Sequence, residues 1–308
     1  MALTIDGTAA SRAARARLLE TEGAPLFLAD WSRMLLLHFE VDPEPLQRAT
    51  PFELDLHLGR AYVSLVAFVQ ERLRPRLGGR FTERLSRPVA SHAFLNVRTY
   101  VRAGGEPGIF FIAEWIPNAL AKLLGPLLYG LPYELGQLEY AHEHERGALA
   151  GEVRPRGMAG GLKYRAKLDR RVPFETAPGG SRTAWLMERY TAYTERNGRK
   201  RRFRIWHPPW PQAIVKADLE DLSLLESLGA WAREPRYAGA TYSPGVENVW
   251  IGRPQALKSA RQGEQLDSHA AAMREERGEG HPSRAYCRAP QVRSACARGG
   301  AGPEPASS

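Results

Sequence analysis

The chain has 308 residues, 43% hydrophobic and 9% aromatic, which is enough apolar side chain for a sizeable core and too much for a globally disordered protein. Of the formal net charge of +9, the eight Lys/Arg and six Asp/Glu after Pro254 account for +2, so +7 belongs to the rest of the chain. No run approaches the ~18 apolar residues of a spanning helix, no apolar stretch follows Arg12, Arg15 and Arg17 as in a secretory leader, and Cys287 and Cys296 are spaced too widely for a CxxC metal or redox motif; a cytoplasmic protein with two free surface thiols is expected.

In chain order, residues 1–24 are expected to be an appendage with one short helix in Ala9–Glu20, because isolated helices of this length are marginal. From Trp31 the pattern becomes strand-like: Ser32–Val41, then a short helix Pro43–Thr50 after Asp42, then Glu53–Leu58 and, past the turn at Gly59, Ala61–Leu73. Arg72, Arg74, Arg76, Arg80, Arg84 and Arg87 fall in a Pro/Gly-punctuated stretch expected as a loop. Strands follow at Ser91–Arg102, Gly108–Trp115, Tyr133–His142, Ala148–Pro155 and Leu162–Asp169, with a helix at Asn118–Tyr129 after Pro117. Thr183–Glu195 and Arg199–Trp206 flank Asn197-Gly198, whose tolerance of positive φ predicts a type I′ hairpin. Asp218–Leu228, with Leu219, Leu222 and Leu225, reads as an amphipathic helix.

Regular βα alternation is missing, so residues 25–254 are expected to form one α+β, mainly β domain of mostly antiparallel strands with a few helical plugs. Residues 255–308 have almost no branched aliphatics and are expected to be a disordered tail.

Six segments carry a family resemblance: Asn96-Val97-Arg98-Thr99-Tyr100-Val101, Pro107-Gly108-Ile109-Phe110-Phe111, Gly130-Leu131-Pro132-Tyr133, Glu188-Arg189-Tyr190, His207-Pro208-Pro209-Trp210 and Tyr242-Ser243-Pro244-Gly245-Val246. In this order they resemble the YqjF-like uncharacterised proteins, domain of unknown function 2071, within the acetoacetate-decarboxylase-like superfamily. The resemblance implies a closed antiparallel β-barrel around an interior pocket. The decarboxylase's Gly-aromatic-Pro-Lys-Lys motif supplies a Schiff-base lysine. Here the similar Gly130-Leu131-Pro132 is followed by Tyr133 and Glu134, neither of which forms an iminium, so acetoacetate decarboxylation is expected to be lost. Lys122, Lys163 and Lys167 lie nearby in sequence.

The resemblance turns the strand of Tyr133 and Glu134 toward the pocket, where a buried carboxyl beside a phenol can exchange protons; the competing reading is a core Tyr and a rim Glu. Glu188 and Arg189, as strand neighbours, point to opposite faces; a buried Glu188 needs a partner such as Arg98 or His207, and a strand-locking ion pair explains it as well as a pocket role. His92, Asn96, Arg98 and Tyr100 alternate along one strand face, and Arg98 is suited to clamp a carboxylate, though a solvated face also accounts for the row. His142 and His144 share a face but have no third ligand at metal spacing, so no metal and no cofactor is expected.

The candidate catalytic residues are therefore Tyr133, Glu134 and Glu188, and the candidate ligand-binding residues Asn96, Arg98, Arg189 and His207. Together they point to an unknown small molecule, a carboxylate for instance, and to an enzyme on an organic acid without a Schiff-base lysine. The alternatives are a non-catalytic ligand-binding module, or a basic adaptor contacting nucleic acid or anionic membrane through the Arg72–Arg87 stretch and the cluster Arg196, Arg199, Lys200, Arg201, Arg202 and Arg204. Neither basic stretch matches a nucleic-acid-binding module, so nucleic acid is not the expected partner. The oligomeric state is left open.

Overall fold

The segment His92–Ala103 shows how the sequence builds two interiors at once. Phe94, Asn96, Arg98 and Tyr100 alternate with Leu95, Val97, Thr99 and Val101, and nearly every side chain on both faces is buried. A strand covered on both sides must separate two packed layers. In the computed structural model, which describes residues 8–257, it does so.

The helices are α1 (Ala9–Leu19), α2 (Pro43–Ala49), α3 (Gly79–Ala90), α4 (Ala119–Tyr129), α5 (Arg182–Met187) and α6 (Ser223–Glu226). The strands are β1 (Phe27–Val41), β2 (Glu53–Leu54), β3 (Ala61–Pro75), β4 (His92–Ala103), β5 (Glu106–Ile116), β6 (Tyr133–Glu143) and β7 (Ala148–Pro155), followed by β8 (Leu162–Lys167), β9 (Glu175–Thr176), β10 (Thr191–Arg196), β11 (Arg199–Trp206), β12 (Pro211–Asp221), β13 (Arg236–Ile251) and β14 (Gln255–Ala256).

Strands β5, β4, β3, β1 and β13 form a continuous wall, and β6, β7, β8 and β12 connect its two edges into a closed nine-strand barrel. The remaining stretch of each edge strand carries a second bridge: β10 pairs with β5 at Ile109 and Phe110, and β11 pairs with β13 at Trp250 and Ile251. The wall thus serves two closed circuits. Leu35, Leu37, Leu65, Leu95 and Val97 face the nine-strand interior, with Leu149, Val153, Leu162, Tyr164 and Val215. Met34, Leu36, Val66, Phe68, Phe94, Ile109 and Phe111 face the opposite side, with Leu186, Met187, Phe203 and Ile205.

The barrel is mixed rather than antiparallel. β5 pairs in parallel with both β6 and β10. The chain reaches β6 through α4, a helical crossover of the kind a parallel neighbour requires.

Four further elements differ from expectation. The arginine-rich stretch is partly helical: Arg72 and Arg74 lie on β3, and Arg84 and Arg87 on α3, whose Pro88 occupies the last turn. Thr183–Glu195 is not one strand; Ser181 accepts a hydrogen bond from the Ala184 amide at 3.1 Å and starts α5, so Glu188 and Arg189 sit in the connection to β10. Asp218–Leu228 continues β12 as far as Asp221, because Leu219 takes part in the ladder with β8, opposite Tyr164. The leucines three apart reflect a strand end followed by the single turn of α6.

Helix α1 is not a free appendage: Ala14 and Leu18 are buried, the Trp206 indole donates to the Ser11 carbonyl at 3.1 Å, and Arg15 lies over the rings of Trp206 and Trp250. No helix among the described residues is long and apolar enough to cross a membrane. The expected disordered tail lies almost wholly outside the described residues.

Candidate functional site

A cavity of about 380 Å³ opens on the wall face turned toward β10 and β11. It lies within the range typical of small-molecule sites. β1 contributes Trp31, Met34 and Leu36; β3 contributes Val66, Phe68 and Gln70; β4 contributes His92, Phe94, Asn96 and Arg98; and β5 contributes Ile109, Phe111 and Glu114. Phe203 and Ile205 of β11 close the far side, with Arg189, His207 and Trp210. Helices α3 and α4 form the roof through Leu85, Val89, Leu120, Leu124 and Leu128. Elsewhere on these two helices and just before α3, Leu77, Phe81, Leu123 and Leu127 are more than 60% exposed.

One side of the chamber is an unbroken aromatic strip. The Tyr133 ring lies 5.7 Å from Phe94, Phe94 5.1 Å from Phe68, Phe68 5.7 Å from Trp31, Trp31 6.2 Å from Trp210 in a parallel stack, and Trp210 4.7 Å from His207. Tyr133 comes this close to the roof because residue 125 of α4 is glycine; a Cβ there would stand 2.2 Å from the Tyr133 ring.

Seven buried polar atoms of the lining have no hydrogen-bond partner among the described residues: Nε1 of Trp31, Nδ1 and Nε2 of His92, Oδ1 of Asn96, Nε of Arg98, Oε2 of Glu114 and Nη2 of Arg189. Buried polar groups normally find partners, so their convergence on one apolar space marks a site built for a polar group of a ligand. Arg98 is anchored by a 3.1 Å donation from Nη2 to the Leu186 carbonyl. Arg189 donates to Asp55 and to the Trp185 carbonyl, each at 2.6 Å, and both guanidinium groups lie over the Tyr100 ring.

Burial sets the protonation states. Glu114 has its carboxyl pushed well above the usual range by desolvation alone, which favours its un-ionised form. Burial, with smaller contributions from Glu114 and Tyr129, raises the Tyr133 phenol far above its ordinary value. His92 is lowered by burial to about 4 and His207 is also lowered by burial, which leaves both rings neutral.

Of the residues singled out from the sequence, Asn96, Arg98, Tyr133, Arg189 and His207 line the cavity together. Glu134 and Glu188 do not. Glu134 follows Tyr133 on the strand and so points the other way, pairing with Lys122 at 2.6 Å on the surface. Glu188 accepts from the Trp210 amide at 3.0 Å and from the Tyr190 hydroxyl, which ties the loops behind the cavity. Lys163 pairs with Glu220 at 3.0 Å, and no lysine occurs among the described residues that line the cavity. Both ring nitrogens of His142 are taken, by the Arg33 carbonyl at 2.7 Å and the Tyr164 hydroxyl at 2.8 Å; no group of three or more metal-ligating side chains occurs among the described residues.

Glu114 was not legible as a site residue, and the reason is a bulge. Alternation from Ile109 and Phe111 assigns Glu114 to the opposite face. Val97 pairs with Ala113 but Arg98 pairs with Phe111, so Ile112 is an extra residue and Glu114 turns into the cavity. A lone carboxylate inside the run from Ile109 to Ile116 was the available signal.

This double-bridged wall with a roofed cavity is an acetoacetate-decarboxylase-like fold. An acetoacetate decarboxylase-like enzyme from Sphingomonas wittichii RW1 matches with a TM-score of 0.52 at 15% identity, over 76% of this chain and 94% of that one. The enduracididine biosynthesis enzyme MppR complexed with pyruvate matches with a TM-score of 0.53 at 13% identity, over 78% and 93%. The chain belongs to the DUF2071 family, described as an uncharacterized conserved protein, whose model matches residues 28–247. The uncharacterized protein YqjF of Bacillus subtilis (strain 168) is 28% identical over 212 residues, 68% of this chain and 84% of that protein.

Proposed function

We propose that the cavity takes up an organic acid with an apolar body, its carboxylate held by Arg98 and Arg189, and that the protein is an enzyme on such acids that works without a lysine-linked imine. The observation that carries this reading is the pair of guanidinium groups, each with an unpartnered nitrogen, in a chamber walled mostly by aromatic and aliphatic side chains. A buried guanidinium nitrogen without an acceptor is costly, and a ligand carboxylate supplies the missing acceptor. The apolar walls then hold the body of the ligand. Glu114, un-ionised, and Tyr133 are the groups able to exchange a proton with it.

Titration calorimetry with six- to ten-carbon alkanoates tests the binding step. The acids are expected to bind and their methyl esters to bind far more weakly. Arg98→Gln is expected to weaken acid binding by about 10- to 100-fold, the worth of one charge-assisted hydrogen bond of about 1.5–3 kcal/mol; equal affinity for acid and ester removes the reading. Mass spectrometry of a mixture of oxo and hydroxy acids after incubation tests turnover, and binding without consumption makes the protein a carrier instead of an enzyme. Borohydride added with acetoacetate is expected to trap no adduct, and a reduced lysine conjugate would contradict the imine-free chemistry.

A further inference from the structure

We infer that the ligand carries a hydroxyl group about five or more bonds from its carboxylate, held between Asn96 and Glu114. This deepens the proposed function and rests on its placement of the carboxylate at the two arginines.

Asn96, Glu114 and Tyr133 occupy one row across three adjacent strands. Asn96 is the β4 partner of Glu114, and Glu114 is the β5 partner of Tyr133. All three line the cavity. Two of them present unsatisfied atoms to it, Oδ1 of Asn96 and Oε2 of Glu114, and Glu114 is only 3% exposed. The row is a built site rather than a gap in packing.

Its chemistry differs from that of the arginine end. No cation neutralises Glu114, whose protonation is governed by burial alone, so the row offers a carboxylic acid, an amide and a phenol, all uncharged. A second carboxylate finds no cation there. The amide oxygen of Asn96 needs a donor, and a neutral carboxyl both donates and accepts. A hydroxyl, which does both at once, answers the two groups together, whereas a ketone leaves Asn96 Oδ1 bare.

The spacing follows from the strand. Asn96 and Arg98 are two residues apart on one face of β4, a separation of about 7 Å, roughly the reach of five or six single bonds. The Arg98 guanidinium leans toward Tyr100, away from Asn96, so this is a lower bound. The aromatic strip runs alongside this span, and the leucines of α3 and α4 continue it toward the rim.

The test is calorimetry with ten-carbon acids of one chain length: the plain acid and its 2-, 4-, 6- and 8-hydroxy forms. The 6- or 8-hydroxy acid is expected to bind at least ten-fold more tightly than the plain acid, and the 2-hydroxy acid is expected to show no gain. In Glu114→Ala that ratio is expected to fall to within two-fold of one, while Glu114→Gln, which keeps a donor and an acceptor, retains most of it; because the ratio is taken within each variant, a general loss of stability cancels. Affinity independent of hydroxyl position, or a preference that survives Glu114→Ala, overturns the inference while leaving the carboxylate site intact. Failure of the carboxylate reading looks different: acids and esters bind alike, and Arg98→Gln changes nothing.

Discussion

Glu114 and Asp55 show how a single buried carboxyl can be tolerated in opposite ways. Asp55 bridges two arginines, with Arg189 Nη1 at 2.6 Å and Arg102 Nε at 2.7 Å. Asp55→Ala strips the inner guanidinium of its counterion and is expected to cost about 3–5 kcal/mol, read from chemical denaturation, because a half-pair leaves a bare buried charge. Glu114 has no such partner and stays protonated. Its folded pKa lies above the unfolded value, so its contribution is complete below about pH 4.5 and is lost as pH rises, by up to about 1.4 kcal/mol per pH unit. Glu114→Gln is therefore expected to raise the melting temperature relative to the native chain at pH 8 and to change it little at pH 4; an equal shift at both would contradict the un-ionised assignment.

The acid side is governed by histidines of opposite sign. His38, His92 and His142 are lowered by burial to about 3, 4 and 4, against an ordinary value of 6.5. The unfolded chain takes up these protons first, so stability is lost as pH falls from about 6.5 toward 4. Proton uptake on unfolding at pH 5 is expected to approach three from these residues, and removing His92 by His92→Phe is expected to reduce it by about one.

At the scale of elements, local signals were legible where the backbone conformation depends on few residues. Asn197 and Gly198 take φ of 53° and 74°, and Arg196 pairs with Arg199 across the turn, as the dipeptide predicts. Gly198→Ala is expected to cost about 1 kcal/mol, read as a lower denaturation midpoint. Helix α4 was readable after Pro117, and its first residue in that reading, Asn118, is the N-cap, accepting from the Ala121 amide at 3.0 Å. Helices α3 and α5 were not, because Gly78-Gly79 and Pro88 read as loop punctuation and Thr183–Met187 reads as part of the strand leading to the Asn197-Gly198 turn. The β5 bulge was also invisible, since its only trace is the register with β4. Gly125→Val in α4 tests whether that helix holds the Tyr133 ring in place: the clash is expected to cost about 1–3 kcal/mol and to weaken ligand binding.

For the whole molecule, the family likeness led to the barrel class, and five of the seven singled-out residues do meet in one cavity. What the sequence left hidden is that the wall is shared. Nothing local shows that β5 and β13 each give part of one edge to a second bridge, and that division places the cavity outside the nine-strand interior. None of β7, β8 and β12 contributes to its lining among the described residues. The cavity those residues share thus lies outside the nine-strand interior, because pairing between segments far apart in sequence decides which face is enclosed.

The most direct measurement is a crystal structure of the protein soaked with decanoate. The account predicts the carboxylate within hydrogen-bond reach of Arg98 Nε and Arg189 Nη2, with the chain running along Trp31, Phe68 and Phe94 toward the roof of α3 and α4. A decanoate bound in the nine-strand interior, or one lying with its carboxylate at the rim and its tail against the arginines, would contradict it.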